Sequence, residues 1–148
     1  LLIANSVVDD FNSIYNSKRG IEIELKTNND KDYVILGIGN RIEQIIANLL
    51  DNSISFSKDN QTIDVVLSKD KDKNTLLKVI DKGEGFKEND TKKIFKRFYS
   101  NRPKIFGEHS GLGLNIVKNL VELHKGTIFA SNNIDQKGAK IEITFPKI

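Results

Sequence analysis

The sequence has no cysteine, methionine or tryptophan, and only two prolines and two histidines in 148 residues. Without cysteine there is no disulfide to staple the fold and no thiolate to act as nucleophile or metal ligand. No Ser–His–Asp or Cys–His arrangement is available for nucleophilic catalysis. No apolar run approaches the roughly 20 residues that span a bilayer, and no signal peptide is visible. The charge surplus is small, a net +3. The lysines near Lys69–Lys73 and Lys92–Lys96 alternate with Asp, Asn and apolar residues, as solvated faces do, so no nucleic-acid partner is expected. The chain opens on Leu1 rather than Met, and the natural protein is expected to extend further in the N-terminal direction. What remains is ordinary globular material, 38% hydrophobic and 29% charged, long enough for one compact domain over residues 1–148.

Residues 4–17 read as an amphipathic helix with Val7, Val8, Phe11, Ile14 and Tyr15 on one side, broken at Arg19 and Gly20. Ile21–Lys26 alternates aliphatic and charged residues, a half-buried strand, and Tyr33–Ile38 is strand-like. The strongest helix follows over 41–56, with Asn40 and Glu43 as a capping-box-like start and Ile42, Ile45, Ile46, Leu49, Leu50 and Phe56 on one face. Gln61–Ser68 and Thr75–Ile80 read as a hairpin around the polar tip Lys69–Asn74. A tight glycine turn occupies Asp81–Gly85, a short helix Asp90–Phe98, and an aperiodic loop Ser100–Ser110. A last helix, Leu112–Lys125, stops at Gly126 as a C′ residue. A final hairpin pairs Thr127–Ile134 with Lys140–Phe145. The order predicts an α+β fold, a mixed and mostly antiparallel sheet with three helices covering one face.

Four constellations carry chemistry. Opposite the apolar face of the 41–56 helix, Gln44, Asn48, Asn52 and Ser55 stack at helical spacing. Asn is a poor helix-interior residue, and carboxamide oxygens are hard neutral ligands suited to Mg²⁺ beside a triphosphate; a solvent-facing polar stripe is the plain alternative. Asp81-Lys82-Gly83-Glu84-Gly85 ends an apolar strand on a carboxylate followed by glycines. A buried carboxylate needs a donor, and the exocyclic amine of adenine is one; an ordinary Asp-x-Gly turn is the alternative. Ser110-Gly111-Leu112-Gly113-Leu114 opens a helix with exposed N–H groups, where phosphate binds, or is a glycine-rich helix entry without ligand. It is neither a Walker nor a Rossmann motif. Phe95-Lys96-Arg97-Phe98-Tyr99 anchors the base of the loop, or is simply core.

Taken in order, these segments resemble the sensor histidine kinases of the GHKL superfamily. Asn48–Asn52 is similar to their N box, Asp81–Gly85 to their first glycine box, Phe95–Phe98 to their F box and Gly111–Leu114 to their second glycine box. In the hydrolytic branches of the superfamily, the gyrase and chaperone types, a Glu general base usually stands at the place of Asn48. The stretch Phe98–Leu114 looks most like envelope-sensing kinases of alphaproteobacteria. The resemblance implies a two-layer α/β sandwich of the Bergerat type, with ATP held under a lid at about 88–110. By the same resemblance, Asn52 is the main Mg²⁺ ligand and Asn48 a catalytic residue that arranges the phosphates. Asp81 reads the adenine amine, with Gly83 and Gly85 shaping its pocket and Phe56 packing near the base. Arg102, Ser110, Gly111, Leu112, Gly113 and Leu114 complete the ATP site.

The implied reaction passes the γ-phosphoryl of Mg-ATP to a histidine on a dimerisation domain outside this chain, and from there to a response regulator. The resemblance further implies a homodimeric full-length protein anchored in the inner membrane, with this domain cytoplasmic. Phosphoryl transfer rests on positioning and charge stabilisation, so no nucleophile or strong base is required in the domain. Neither His109, in the expected lid, nor His124, before Lys125-Gly126, has the context of a phosphoacceptor, and His124 reads as a structural residue at a helix end. Four positions depart from the family pattern. Ser55 stands where many members carry a phosphate-touching Lys or Arg, a charge left to Lys58, Arg97 or Arg102. Ser53 replaces a common Ala, His109 the first lid glycine, and Lys125 one of two glycines. These departures keep two alternatives open: a degenerate ATP-binding module that signals without transfer, and an ATPase or serine kinase of the same superfamily.

Overall fold

The computed structural model describes residues 1–28, 33–85, 95, 113–133 and 137–148. Its elements are α1 (Leu2–Arg19), β1 (Glu22–Thr27), α2 (Gly39–Phe56), β2 (Thr62–Lys69), β3 (Thr75–Ile80), α3 (Gly113–Leu123), β4 (Thr127–Asn132) and β5 (Ala139–Phe145). The strands form one sheet in the order β1-β2-β3-β5-β4. β1 runs parallel to β2, and the other three pairings are antiparallel. Strand alternation puts Ile63, Val65, Leu67, Leu77, Val79, Ile141 and Ile143 on the buried face. Ile42, Ile45, Ile46, Leu49 and Leu50 of α2 and Val117 and Val121 of α3 belong to the same buried cluster. This is the two-layer α+β sandwich read from the sequence. Among the described residues no helix is long and apolar enough to cross a membrane.

Helix α1 buries Ala4, Val7 and Val8, and Phe11 stacks on Tyr15. Ile14 was expected on that face but is exposed. Gly20 ends α1 in the left-handed region at φ 65°. Two expectations fail at the entry to α2. The segment 33–38 is not a strand. It pairs with nothing in the sheet, and only Tyr33 is buried, while Val34, Leu36 and Ile38 face out. The Asn40–Glu43 capping box is also absent. Helix α2 starts earlier, with Ile38 as N-cap and no side-chain cap bond, so Asn40 already lies inside it. A tertiary contact fixes this start instead. His124 Nε2 accepts the Ile38 N–H at 3.1 Å, while its Nδ1 lies 2.7 Å from the Leu120 carbonyl. Two such partners require the Nδ1–H tautomer, and His124 is thereby the structural residue expected.

At the end of α3 the left-handed residue is Lys125, at φ 60°, and not Gly126. Gly126 is needed for a different reason: a Cβ there would stand 2.6 Å from the Thr144 carbonyl oxygen. The hairpins β2–β3 and β4–β5 form with the predicted partners. The Asp90–Phe98 helix and the loop to Ser110 lie outside the described residues except for Phe95.

Candidate functional site

The site is built at the C-terminal ends of α2 and β3. Helix α2 is long and amphipathic, and its last turns carry Asn48, Asn52 and Phe56 at intervals of four, so Phe56, expected on the apolar face, instead continues the Asn stripe and is not part of the core cluster. Asn48 and Phe56 are half-buried, and Asn52 is only 2% exposed. The reading of this stripe as solvated therefore fails at its inner end, because Asn52 and Ser55 are both buried. Ser55 turns back on its own helix, its hydroxyl donating to the Asn52 carbonyl at 2.7 Å, and Ser57 does the same to Ser53 at 2.8 Å. Gln44, at the outer end of the stripe, accepts from Arg41.

The end of α2 is held by Arg19. Its guanidinium donates to the carbonyls of Ile54 at 2.9 Å and Ser57 at 2.6 Å and pairs with Asp59 at 2.7 Å. The Ile54 carbonyl also accepts the N–H of the C-cap Ser57, and a cation at this helix end complements the helix dipole. The end of α1 thus pins the turn of α2 that bears Phe56.

Asp81 follows β3 and is 2% exposed. Its main chain continues the ladder, with its N–H donating to the Ala139 carbonyl at 3.0 Å. Its Oδ1 accepts the N–H of Gly83 at 3.0 Å and of Ala139 at 3.2 Å. Burial pushes its carboxyl up to about 6, and those two N–H donors hold it back from rising further. Gly83 is compulsory on contact grounds, since a Cβ would lie 2.2 Å from the Phe56 carbonyl oxygen. That near-contact brings the end of α2 against the Asp81 turn. Gly85 has φ 84° and packs against Asn132 and Gly138. The end of α2 at Phe56 and the Asp81–Gly83 turn therefore lie against one another.

Of the phosphate-side residues, Gly113 opens α3 and Leu114 is half-buried in its first turn. Arg102, Ser110, Gly111 and Leu112 lie outside the described residues, as do Arg97 and His109. Phe95 is buried, and its carbonyl accepts from the Asn115 carboxamide at 3.0 Å, so its packing role holds. Phe98 lies outside. Lys58 is exposed beside the end of α2. Among the described residues no group of three His, Cys, Asp or Glu side chains is placed to hold a metal ion. An apolar cavity of about 490 Å³, lined by residues such as Ile42, Leu77 and Phe145, lies at the opposite end of the sheet, at the start of α2.

Sequence reasoning missed four residues of the turn's surroundings. Gly138, in the connection of the final hairpin, has φ 126° and leaves room for the Asp81 carbonyl, which a Cβ would approach to 2.0 Å. Ala139 supplies an N–H to the Asp81 carboxylate, and Asn133 and Gln61 bond to the turn's backbone. Backbone donors and partners some 20 to 58 positions away leave no local pattern to read.

Comparison with known proteins places this geometry. The family model for histidine kinase-, DNA gyrase B- and HSP90-like ATPases matches residues 37–148. Sensor protein ChvG of Agrobacterium fabrum is 34% identical over 98% of this chain and 26% of its own length. Sensor protein KdpD of Clostridium acetobutylicum is 37% identical over 84% of this chain and 14% of its own. The chain thus spans about a quarter or less of these relatives. ChvG of Rhizobium meliloti also matches, at 37% identity over 78% of this chain and 20% of its own length, which bears out the likeness to the alphaproteobacterial subgroup. Among solved structures, the mycobacterial sensor histidine kinase MprB superposes with a TM-score of 0.79 at 25% identity, covering 96% of this chain and 93% of its own. The catalytic domain of histidine kinase ThkA gives 0.78 at 23% identity, covering 97% and 91%, and shows the shared fold. The chain belongs to the family of histidine kinase-, DNA gyrase B- and HSP90-like ATPases.

Proposed function

We propose that this chain is the ATP-binding catalytic domain of a two-component sensor histidine kinase, which passes the γ-phosphoryl of Mg-ATP to a histidine on a dimerisation domain of the same protein. One observation carries the nucleotide assignment: a buried carboxylate, Asp81, at the end of a core strand, with Gly83 and the end of α2 pressed against it. Asp81 Oδ1 is engaged by two backbone N–H groups, so its second oxygen is the one that accepts the adenine amine. Phe56 packs beside the base. Asn48 arranges the phosphates, and the N-terminus of α3, with Gly113 and Leu114 and the preceding Ser110, Gly111 and Leu112, takes their charge together with Arg102.

The residues fit a magnesium ion carried in with the triphosphate. Asn52 offers a buried neutral oxygen, and the described residues hold no carboxylate cage. Mg²⁺ keeps waters and phosphate oxygens as most of its ligands and needs few from protein. A magnesium ion held beside Asn52 would supply charge neutralisation at the phosphoryl oxygens. The chain's own contribution is to position the nucleotide and exclude water. The accepting imidazole comes from the dimerisation domain, and a response regulator receives the group from it. Such a protein works as a homodimer attached to the inner membrane, with this domain in the cytoplasm.

Ser55 favours a second reading. Its hydroxyl is spent on the helix carbonyl and the position carries no cation, which suits a module that binds ATP without transferring phosphate. Calorimetry with and without magnesium tests the assignment. The wild-type chain should bind ATP more tightly with Mg²⁺ than in chelator, and Asn52→Ala should abolish that gain. A gain of the same size in Asn52→Ala would remove the metal role from this residue. Binding without transfer to a histidine-bearing dimerisation domain would select the second reading.

A further inference from the structure

Two carboxamides from different parts of the chain hold the backbone of the Asp81 turn. Asn133, at the end of β4, donates from Nδ2 to the Asp81 carbonyl at 2.9 Å. Gln61, just ahead of β2, donates from Nε2 to the adjacent Lys82 carbonyl at 3.2 Å. Both amides are oriented by further partners. The Gln61 Oε1 accepts the Lys58 N–H at 2.9 Å, and Asn133 Nδ2 also faces the Lys137 carbonyl at 3.5 Å. The main chain of Asn133 is tied down as well, its N–H donating to the Gly138 carbonyl at 2.9 Å. Gly138 itself stands so close to the Asp81 carbonyl that no side chain fits between them.

We propose that Asn133 and Gln61 are positioning residues for adenine recognition, a reading that rests on the ATP-binding role proposed for Asp81. Two successive carbonyls, each fixed by a carboxamide from a different element, hold the Asp81–Lys82 and Lys82–Gly83 peptides against rotation. The Asp81 side chain projects from the first of these, so its carboxylate keeps one direction before the base arrives, and preorganisation of this kind raises affinity. Neither carboxamide needs to touch the nucleotide. Each acts through Asp81. The β4–β5 hairpin and the α2–β2 connection thereby become part of the specificity of a site otherwise made by α2 and β3.

The test compares ATP with purine riboside triphosphate, which carries hydrogen in place of the exocyclic amine, by calorimetry on the whole chain. Wild type should prefer ATP. Asn133→Ala should weaken ATP roughly five- to tenfold, the scale of one buried hydrogen bond, and leave the analogue unchanged, so that the preference collapses. Gln61→Ala should shift the ratio in the same direction by less. A merely structural role would lower the melting temperature and leave the ratio intact. An unchanged ratio in both variants overturns the proposal. If Asn133→Ala fails to fold, Gln61→Ala decides by the same criterion. If wild type shows no preference for ATP, the adenine role of Asp81 falls first and this proposal with it.

Discussion

At Asp81 two demands meet on one carboxyl group. Folding takes it out of water and favours its neutral form, whereas an amine donor on the ligand favours the carboxylate. Its ordinary value of 3.8 is raised to about 6 in the folded chain. Between pH of about 4 and 6 the folded state therefore holds a proton that the unfolded state has released. This group's contribution to stability is fully present below pH 4 and is lost as pH rises through 6, on the order of 3 kcal/mol at about 1.4 kcal/mol per pH unit. Asp81→Asn removes that penalty. The ligand-free variant should melt above wild type at pH 8, with the two converging near pH 4. Nucleotide binding should run the other way. The preference for ATP over purine riboside triphosphate should rise as pH increases through 6 in wild type and be small and flat in Asp81→Asn. A wild-type preference independent of pH from 5 to 8 would sink the assignment of the ionised form.

At the scale of elements, strand alternation and helical spacing located all three described helices and all five strands, because each element buries one face in a shared core. The elements that went astray have identifiable causes. Segment 33–38 has strand-like residues but no partner edge, and its direction is set by His124 reaching across from α3. The start of α2 follows from that same contact, which local capping residues cannot report. At the end of α3, Gly126 attracted the cap assignment although Lys125 takes the left-handed conformation. Lys125 is exposed, and a non-glycine residue pays about 1–2 kcal/mol there. Lys125→Gly should therefore stabilise the domain by about 0.5–1 kcal/mol after the entropy cost of glycine in the unfolded chain. Denaturant melts would show a higher midpoint at constant slope; a lower midpoint would place the strain elsewhere. The same division holds within the site. Asn48, Asn52 and Asp81, the residues proposed to meet the nucleotide, could be singled out because their side chains stand in a recognisable order, whereas Ala139, Gly138, Asn133 and Gln61 meet the Asp81 turn only after the sheet has closed.

At the scale of the whole molecule, the Asp81 turn and the apolar cavity occupy opposite ends of the sheet. One end is polar and assembled around Asp81, with Arg19 fixing the end of α2 and the β4–β5 hairpin closing the turn. Among the described residues the one histidine, His124, lies away from this end. His124 lies against α3 and the entry to α2, with both ring nitrogens engaged by backbone, so reaching a γ-phosphate would require breaking the contact that starts α2. His109 lies outside the described residues, and its neighbours, Glu108 and Ser110, sit in the expected lid. Incubated alone with Mg-ATP labelled in the γ position, the chain should acquire no acid-labile label. Addition of a histidine-bearing dimerisation domain should give label on that domain, because it supplies the acceptor and transfer otherwise asks only for positioning. Labelling that persists in the isolated chain and disappears in His109→Ala would instead move the acceptor into the lid. Steady phosphate release by the chain alone, with no label on the added domain, would assign it to the hydrolytic side of its family.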